Sequence, residues 1–272
     1  MDPDEEVLVV PTALVRSVGH FEGFSSYSHP YTNIANSSEA IFMPRKQAET
    51  DENFKQVIPY VLFTAPGYNS GSMLLFRYFR SPKQGEDRLH GKASIGVGGH
   101  INPVDAENAT MTSTVFEEAV KREILEEVRL SESEFLMPPC VGVINVESSS
   151  VDRVHLGIVY RYELQSPELE PREVEGMLDC GFISPQDAYR QFDQFEEWSK
   201  LVLQSLYPVG LFMSDNDFVG LNPSQAAAIA LKAGVETRVI NPEDGVATSM
   251  EYNPFRLNLE VEQGKVAKVH RG

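Results

Sequence analysis

Three carboxylates stand close together in the segment Phe-Glu-Glu-Ala-Val-Lys-Arg-Glu-Ile-Leu-Glu-Glu-Val-Arg-Leu, residues 116–130. Wound as a helix at about 100° per residue, Glu123, Glu126 and Glu127 share one arc about 100° wide. Phe116, Ala119, Val120 and Leu130 fall on or beside that arc, so the acids interrupt an apolar face. Glu118, Lys121, Arg122 and Arg129 lie towards the other side. Unpaired charge on a packing face costs several kcal/mol. A divalent cation is the simplest compensation, because Mg²⁺ and similar ions take carboxylate oxygens, waters and substrate phosphates. A solvated acidic helix edge would show the same pattern, and taken alone the segment leaves both readings open.

The residues before it favour the cation. Ser94-Ile95-Gly96-Val97-Gly98-Gly99-His100-Ile101-Asn102 reads as a strand entering a Gly-Gly turn. Such a turn lets backbone and a phosphate group come close to a metal. Here the chain resembles the Nudix hydrolase family, whose signature is a glycine, a loop and then Arg-Glu-(apolar)-x-Glu-Glu-x-Gly-(apolar). The matching residues are Gly99 and Arg122-Glu123-Ile124-Leu125-Glu126-Glu127-Val128-Arg129-Leu130. The resemblance implies metal-dependent hydrolysis of a nucleoside diphosphate linked to a further moiety, or of a related diphosphate. Glu123, Glu126 and Glu127 would hold Mg²⁺ or Mn²⁺, and Arg122 would orient them. From their place in the turn, Gly98 and Gly99 are read as substrate contacts, as is His100, for which a plain hydrogen-bonding role in the turn is the alternative. A nucleotide or another diphosphate small molecule is the implied partner.

The chain departs from that signature in three places. Glu123 lies 24 residues after Gly99, about nine more than in the family, so the loop is expanded over roughly 103–112. The family's loop glutamate, eight residues before the arginine, falls on Thr114, with Glu107 and Glu117 as the nearby acids. The glycine that ends the family helix is Arg129. These departures keep a rival reading alive, a Nudix module that senses a nucleotide without turning it over.

The far end of the chain carries a second pattern. Residues 218–272 read as an Ala-rich helix from Asn222 or Ser224 towards Leu231, a strand at 235–241, a loop bounded by Pro242 and Pro254, and strands at 256–262 and 265–270 joined by Gln263-Gly264. This order resembles the potato type I serine-protease inhibitors, through Val219-Gly220, Arg238-Val239-Ile240, Pro242, Met250-Glu251-Tyr252 and Arg256-Leu257-Asn258. The resemblance implies a preorganised loop offered to a protease. Met250 would enter the specificity pocket, Glu251 would follow the scissile bond and Arg256 would brace the loop. Asn258 stands where a second bracing arginine can occur. A subtilisin- or chymotrypsin-like protease is the implied partner, and a fold that caps the enzyme without inhibiting anything is the alternative. A chain whose main role is inhibition is a further one.

The expected architecture is α/β: a Nudix α/β/α sandwich with a mixed sheet over residues 1–212, a linker at 213–217 and a small α/β inhibitor-like domain over 218–272. Strands are expected at 6–15, 57–64, 72–79, 92–98, 140–147 and 153–163, with Gly67–Gly71 as a hairpin turn. Ser184-Pro185 should start a helix, and a second should span 192–206 with Trp198, the sole tryptophan. Residues 17–56 are irregular, forming either a lid or a packed extension. Arg77 and Arg80 flank a sheet edge as phosphate contacts, and Glu170, Glu173 and Glu175 are loop acids, either a source of a base or simply solvated.

Composition narrows the partners. A net charge of −17 argues against a nucleic-acid backbone or an anionic membrane, since both need clustered Lys and Arg. Cys140 and Cys180 sit in apolar stretches without metal spacing, as expected for reduced thiols in a cytoplasmic protein. The opening Met-Asp-Pro-Asp-Glu-Glu is unlike a signal peptide, and no apolar run approaches a membrane span.

Overall fold

The fold was established from a computed structural model describing residues 5–67, 73–81, 89–110, 113–133, 135–172, 175–208, 215–232, 235–241 and 256–271. The chain divides into two compact units. One comprises residues 1–184 with 193–201, the other 185–192 with 202–272.

The first unit is built on a mixed ten-stranded sheet. Its elements are β1 (Glu6–Pro11), α1 (Thr12–Ser17), β2 (Gly23–Ser25), α2 (His29–Ala35), β3 (Ile41–Pro44), α3 (Arg45–Ala48), β4 (Phe54–Pro66) and β5 (Met73–Arg80). β6 (Ala93–Ser94), β7 (Gly96–Gly98), α4 (Pro103–Asn108), α5 (Val115–Glu127), β8 (Cys140–Asn145), α6 (Ser150–Arg153), β9 (His155–Glu163) and β10 (Met177–Ile183) follow. The main strand path is β10-β5-β4-β9-β8-β2, with β1, β6 and β7 on its flanks and β3 beyond β1. β4 and β9 run parallel, Gln56 beside His155 through Thr64 beside Glu163. The other ladders of this sheet are antiparallel.

β4 carries the unit because it is apolar on both faces, as a strand covered on both sides must be. Val57, Val61 and Phe63 join the core with Phe116, Ala119, Val120 and Ile124 of α5. Tyr60 points the other way and meets the Trp198 ring edge-on at 5.6 Å. Helix α5 thus lies on one face and the start of α8 (Glu197–Leu206) on the other, the layered α/β arrangement expected.

Several local expectations are corrected. The run 6–15 is strand only to Pro11. The next residues, Thr-Ala-Leu-Val, form α1 and bury Thr12 and Val15, because a short apolar run fits either period and packing chooses. The strand expected at 92–98 is two, β6 and β7, divided at Ile95. Residues 192–206 begin as a 3-10 turn, Phe192–Gln194, before α8. Residues 17–56 are a packed extension. Tyr31, Ile34 and Ala35 lie in the main core, β2 pairs with β8 and β3 with β1. The β4–β5 hairpin is formed, with Thr64 opposite Leu75, while residues 68–72 of its turn lie outside the described residues. Cys140 and Cys180 are half-buried free thiols.

In the second unit α7 (Pro185–Arg190) begins on the expected proline. Helix α9 (Pro223–Lys232) is capped by Asn222, whose Oδ1 accepts from the Gln225 amide at 2.9 Å. β11 (Glu236–Ile240) runs parallel to β12 (Arg256–Glu262), which pairs antiparallel with β13 (Lys265–Arg271). Phe218, Ala226, Ala230, Val235, Leu257, Leu259, Val266 and Val269 form a buried core there. Among the described residues no helix is long and apolar enough to cross a membrane.

Candidate active site

The three carboxylates of α5 are graded in depth. Glu123 is buried, Glu127 half-buried and Glu126 exposed, its side chain 60% accessible. This follows from their place at the rim of the helix's apolar face. Phe116, Ala119, Val120 and Ile124 are buried.

Arg122 ties the set together. Its Nη1 donates to Glu123 Oε1 and to Glu126 Oε2, both at 2.9 Å. Its Nη2 donates to the His100 carbonyl at 2.8 Å and to Asn102 Oδ1 at 3.2 Å. The fork is closed by Asp105, whose Oδ1 accepts from Nε at 2.8 Å and whose Oδ2 accepts from Nη2 at 2.9 Å. Asp105 is fully buried and also accepts from the Asn102 amide at 2.8 Å. A bidentate pair of this kind fixes direction as well as charge.

Asp105 was missed from the sequence. The expanded loop folds its first part into α4, and this helix carries Asp105 to the guanidinium. Counting back from the arginine led to Thr114. Counted forward from the glycine, the same family position is the sixth residue after Gly99, which is Asp105. That forward count was the available signal, and the insertion hid it. Thr114 instead caps α5. Its hydroxyl accepts from the Glu117 amide at 3.3 Å, and Glu117 accepts from the Thr114 amide at 2.7 Å, a capping box. Glu117 is thereby a helix cap. Arg129 replaces the family glycine without strain, because α5 ends into extended Val128, bridged to Pro171. No left-handed residue is needed there.

The glycine pair has a steric reason. A Cβ on Gly99 would stand 2.3 Å from Glu123 Oε2, and one on Gly98 would stand 2.0 Å from the Pro59 carbonyl oxygen. The turn backbone therefore lies directly on the innermost carboxylate. Burial pushes the Glu123 carboxyl up to about 7; Arg122 opposes this, while Glu126 and Glu127 add to it. A buried acid crowded by two others of its kind, with no side chain between it and the turn, suits a cation.

A cavity of about 340 Å³ opens beside this set. Gly98, Gly99, His100 and Glu127 border it at one part, and Tyr60, Tyr78, Arg80, Met177, Glu196 and Trp198 at another. Its polar wall is pre-set. Glu196 accepts from the Tyr60 hydroxyl at 3.0 Å, from the Ser94 hydroxyl at 2.6 Å and from Arg80 Nε at 2.8 Å. Arg80 thus lines the cavity. Arg77 is bound to Asp179 at 2.8 Å and does not line it. Glu170 is exposed and paired with Arg129 at 3.7 Å; its carbonyl accepts from the Arg129 amide while the Glu127 carbonyl accepts from the Arg172 amide. Glu173 lies outside the described residues, as do Met250 and Glu251. Arg256 is buried at the start of β12.

No protein-family model matches the chain. Among curated proteins it is 32% identical over 212 residues to Protein YmaB of Bacillus subtilis (strain 168), an alignment spanning 75% of this chain and 98% of that protein. Among solved structures it is similar to Tm1382, described as a Nudix hydrolase, with 27% identity and a TM-score of 0.58 over 74% of this chain and 98% of that one. With the Arg-Glu-x-x-Glu-Glu helix, its glycine turn and a relative matched over nearly its whole length, the chain belongs to the Nudix hydrolase family.

Proposed function

We propose that the first unit hydrolyses a phosphoanhydride bond in a nucleoside diphosphate-linked or related diphosphate substrate, at the carboxylates of α5. The observation that carries this reading is the Arg122 clamp. One guanidinium holds Asp105, Glu123 and Glu126 in fixed relation while Glu127 borders the cavity. We assign Glu123, Glu126 and Glu127 as the residues that would hold Mg²⁺ or Mn²⁺. Bound there, the ion supplies charge neutralisation at the phosphate oxygens and an activated water.

The chain's own residues do the rest. Arg122 keeps two of the carboxylates turned to the same side. Gly98 and Gly99 let a phosphate approach the helix, and Arg80, held by Glu196, offers a cation to the anionic chain. The water oxygen bonds to phosphorus, the anhydride P–O bond breaks with its electron pair leaving on the oxygen of the departing phosphate, and the water proton passes to a carboxylate, which we assign to Glu127. Tyr60, Tyr78 and Trp198 supply aromatic surface for the moiety beyond the phosphates.

The test is release of phosphate-containing products from a panel of nucleoside diphosphate derivatives with Mg²⁺ or Mn²⁺. Glu126→Gln and Glu127→Gln should each lose more than about a hundredfold in rate. Full activity in both would sink the assignment. The rival sensing role predicts tight metal-dependent binding with no product over hours. That role draws on Thr114 at the loop-acid position and on the expanded loop; Asp105, paired with Arg122, supports the hydrolase reading instead.

A second reading concerns residues 218–272, taken as a module separate from 1–212 and joined at 213–217. We propose that it presents residues 241–255 as a protease-binding loop. What favours this is topology: the segment joins two parallel neighbours, β11 and β12, with Glu236 beside Arg256. Its described core is drawn from 218–269 alone. The reading rests on motif and topology.

A further inference from the structure

We propose that Glu49, His100 and His155 form a second metal site, separate from the α5 carboxylates, for a borderline transition-metal ion of the Zn²⁺ class. A ligand atom from each of the three lies within 4.8 Å of the other two. They come from far apart in sequence: Glu49 follows α3, His100 follows the glycine turn and His155 opens β9.

The hydrogen bonds of the two imidazoles leave each ring one nitrogen for a ligand role. His155 Nδ1 is 2.7 Å from the Val151 carbonyl oxygen. A carbonyl only accepts, so Nδ1 carries the proton and Nε2 keeps its lone pair. His100 Nε2 is 3.0 Å from Gln56 Oε1. With that amide oxygen on the ring, Nε2 donates and Nδ1 keeps its lone pair. Gln56 itself sits beside His155 in the β4–β9 ladder, so one strand pair sets both rings. Each ring thus has an N–H turned to an outer oxygen and its other nitrogen without a hydrogen-bond partner among the described residues. That is the outer-shell arrangement of metal-bound histidine.

Glu49 adds the charge. Among the described residues its carboxylate receives one contact, from Arg45 Nε at 3.4 Å on Oε1, while Arg45 makes its shorter bond, 2.8 Å, to Glu5. The second Glu49 oxygen is left for a ligand role. An anion is the other occupant that Arg45 suggests. Two imidazoles and a carboxylate with ligand atoms within 4.8 Å of one another form a donor set that suits a cation and not an anion, which decides between them. Two imidazoles and one carboxylate suit Zn²⁺, Fe²⁺ or Co²⁺ better than Mg²⁺, which prefers all-oxygen surroundings.

His100 and His155 border the same cavity as Glu127. An ion held there keeps coordination positions open to it and can take an anionic oxygen of a molecule bound in that cavity. The site does not depend on the hydrolase reading, since it shares no ligand with the α5 set.

The experiment is titration of the metal-free full chain with Co²⁺, followed by visible absorption. One equivalent should give the intense bands of a four- or five-coordinate site with nitrogen ligands, and added Zn²⁺ should remove them. The double variant E126Q/E127Q should keep the bands. His155→Gln should abolish them, and Glu49→Gln should weaken Co²⁺ affinity at least about tenfold. Should His155→Gln fail to fold by circular dichroism, Glu49→Gln decides. No intense band in the wild type, bands unchanged in Glu49→Gln, or bands lost with E126Q/E127Q would each overturn the proposal.

Discussion

Gly99 and Glu123 are in contact such that a single methyl group would collide: a Cβ at 99 would stand 2.3 Å from Glu123 Oε2 and 2.6 Å from its Cδ. The collision is with the innermost carboxylate of α5, and that carboxylate is pinned on its other oxygen by Arg122. Neither partner has free room. Gly99→Ala should therefore push Glu123 out of line and lower affinity for Mg²⁺ or Mn²⁺ by roughly 10–100-fold, with the helix content unchanged. Isothermal titration with Mn²⁺ reads this directly, and wild-type affinity in the variant would show that the turn tolerates a side chain.

Asp105→Asn keeps the shape of the loop acid and removes its charge. Arg122 would lose half of its bidentate grip while still facing Glu123 and Glu126. Breaking a buried charged hydrogen-bond pair costs about 2–4 kcal/mol, so the urea midpoint should fall, and any hydrolase rate should fall with it. Unchanged stability and rate would mean that α4 merely fills the loop.

Acid should weaken the metal-free protein through His100. Burial, together with Arg45, His155 and Arg122, holds its imidazole well below the ordinary 6.5. The unfolded chain therefore takes up a proton at this position before the folded one does. This contribution to stability is present above about pH 6.5 and is lost as pH falls towards the folded value. With EDTA present, the melting temperature should drop from pH 7.5 to pH 5, and drop less in His100→Gln. Equal drops would assign the acid sensitivity to other groups.

Glu196 holds up the cavity wall. Glu196→Ala would strip the carboxylate from Arg80, Tyr60 and Ser94 together, leaving buried polar groups without their acceptor at a cost of about 2–4 kcal/mol. Thermal melts should show the loss. Glu196→Gln, which keeps an acceptor oxygen, should recover part of it.

For the C-terminal module, residues 215–272 expressed alone should fold without disulfides, because both cysteines lie elsewhere and the described core is local. Met250→Lys should shift any inhibition from subtilisin or chymotrypsin towards trypsin, whose pocket carries a buried acid. Arg256→Ala should turn the loop into a cleavable substrate. No inhibition of subtilisin or chymotrypsin by the isolated module at micromolar concentration would leave it a structural appendage.

Much of this protein was legible from local pattern. The helical period marked Glu123, Glu126 and Glu127 at the edge of an apolar face, and the glycines announced a close approach, because both signals are written in adjacent residues. The strands β4, β5, β8 and β9 and the elements of residues 223–271 were legible for the same reason. The identity of Arg122's main partner was not, since an insertion broke the spacing by which Asp105 would have been found. Thr12–Val15 was likewise read as strand and is helix, since a run that short fits both periods until packing selects one. Nor could any reading of spacing bring Glu49, His100 and His155 together. Their meeting depends on β4 lying parallel to β9 and on the turn after β7 folding back beside α3, and such long-range pairings are decided only when the sheet closes over its core.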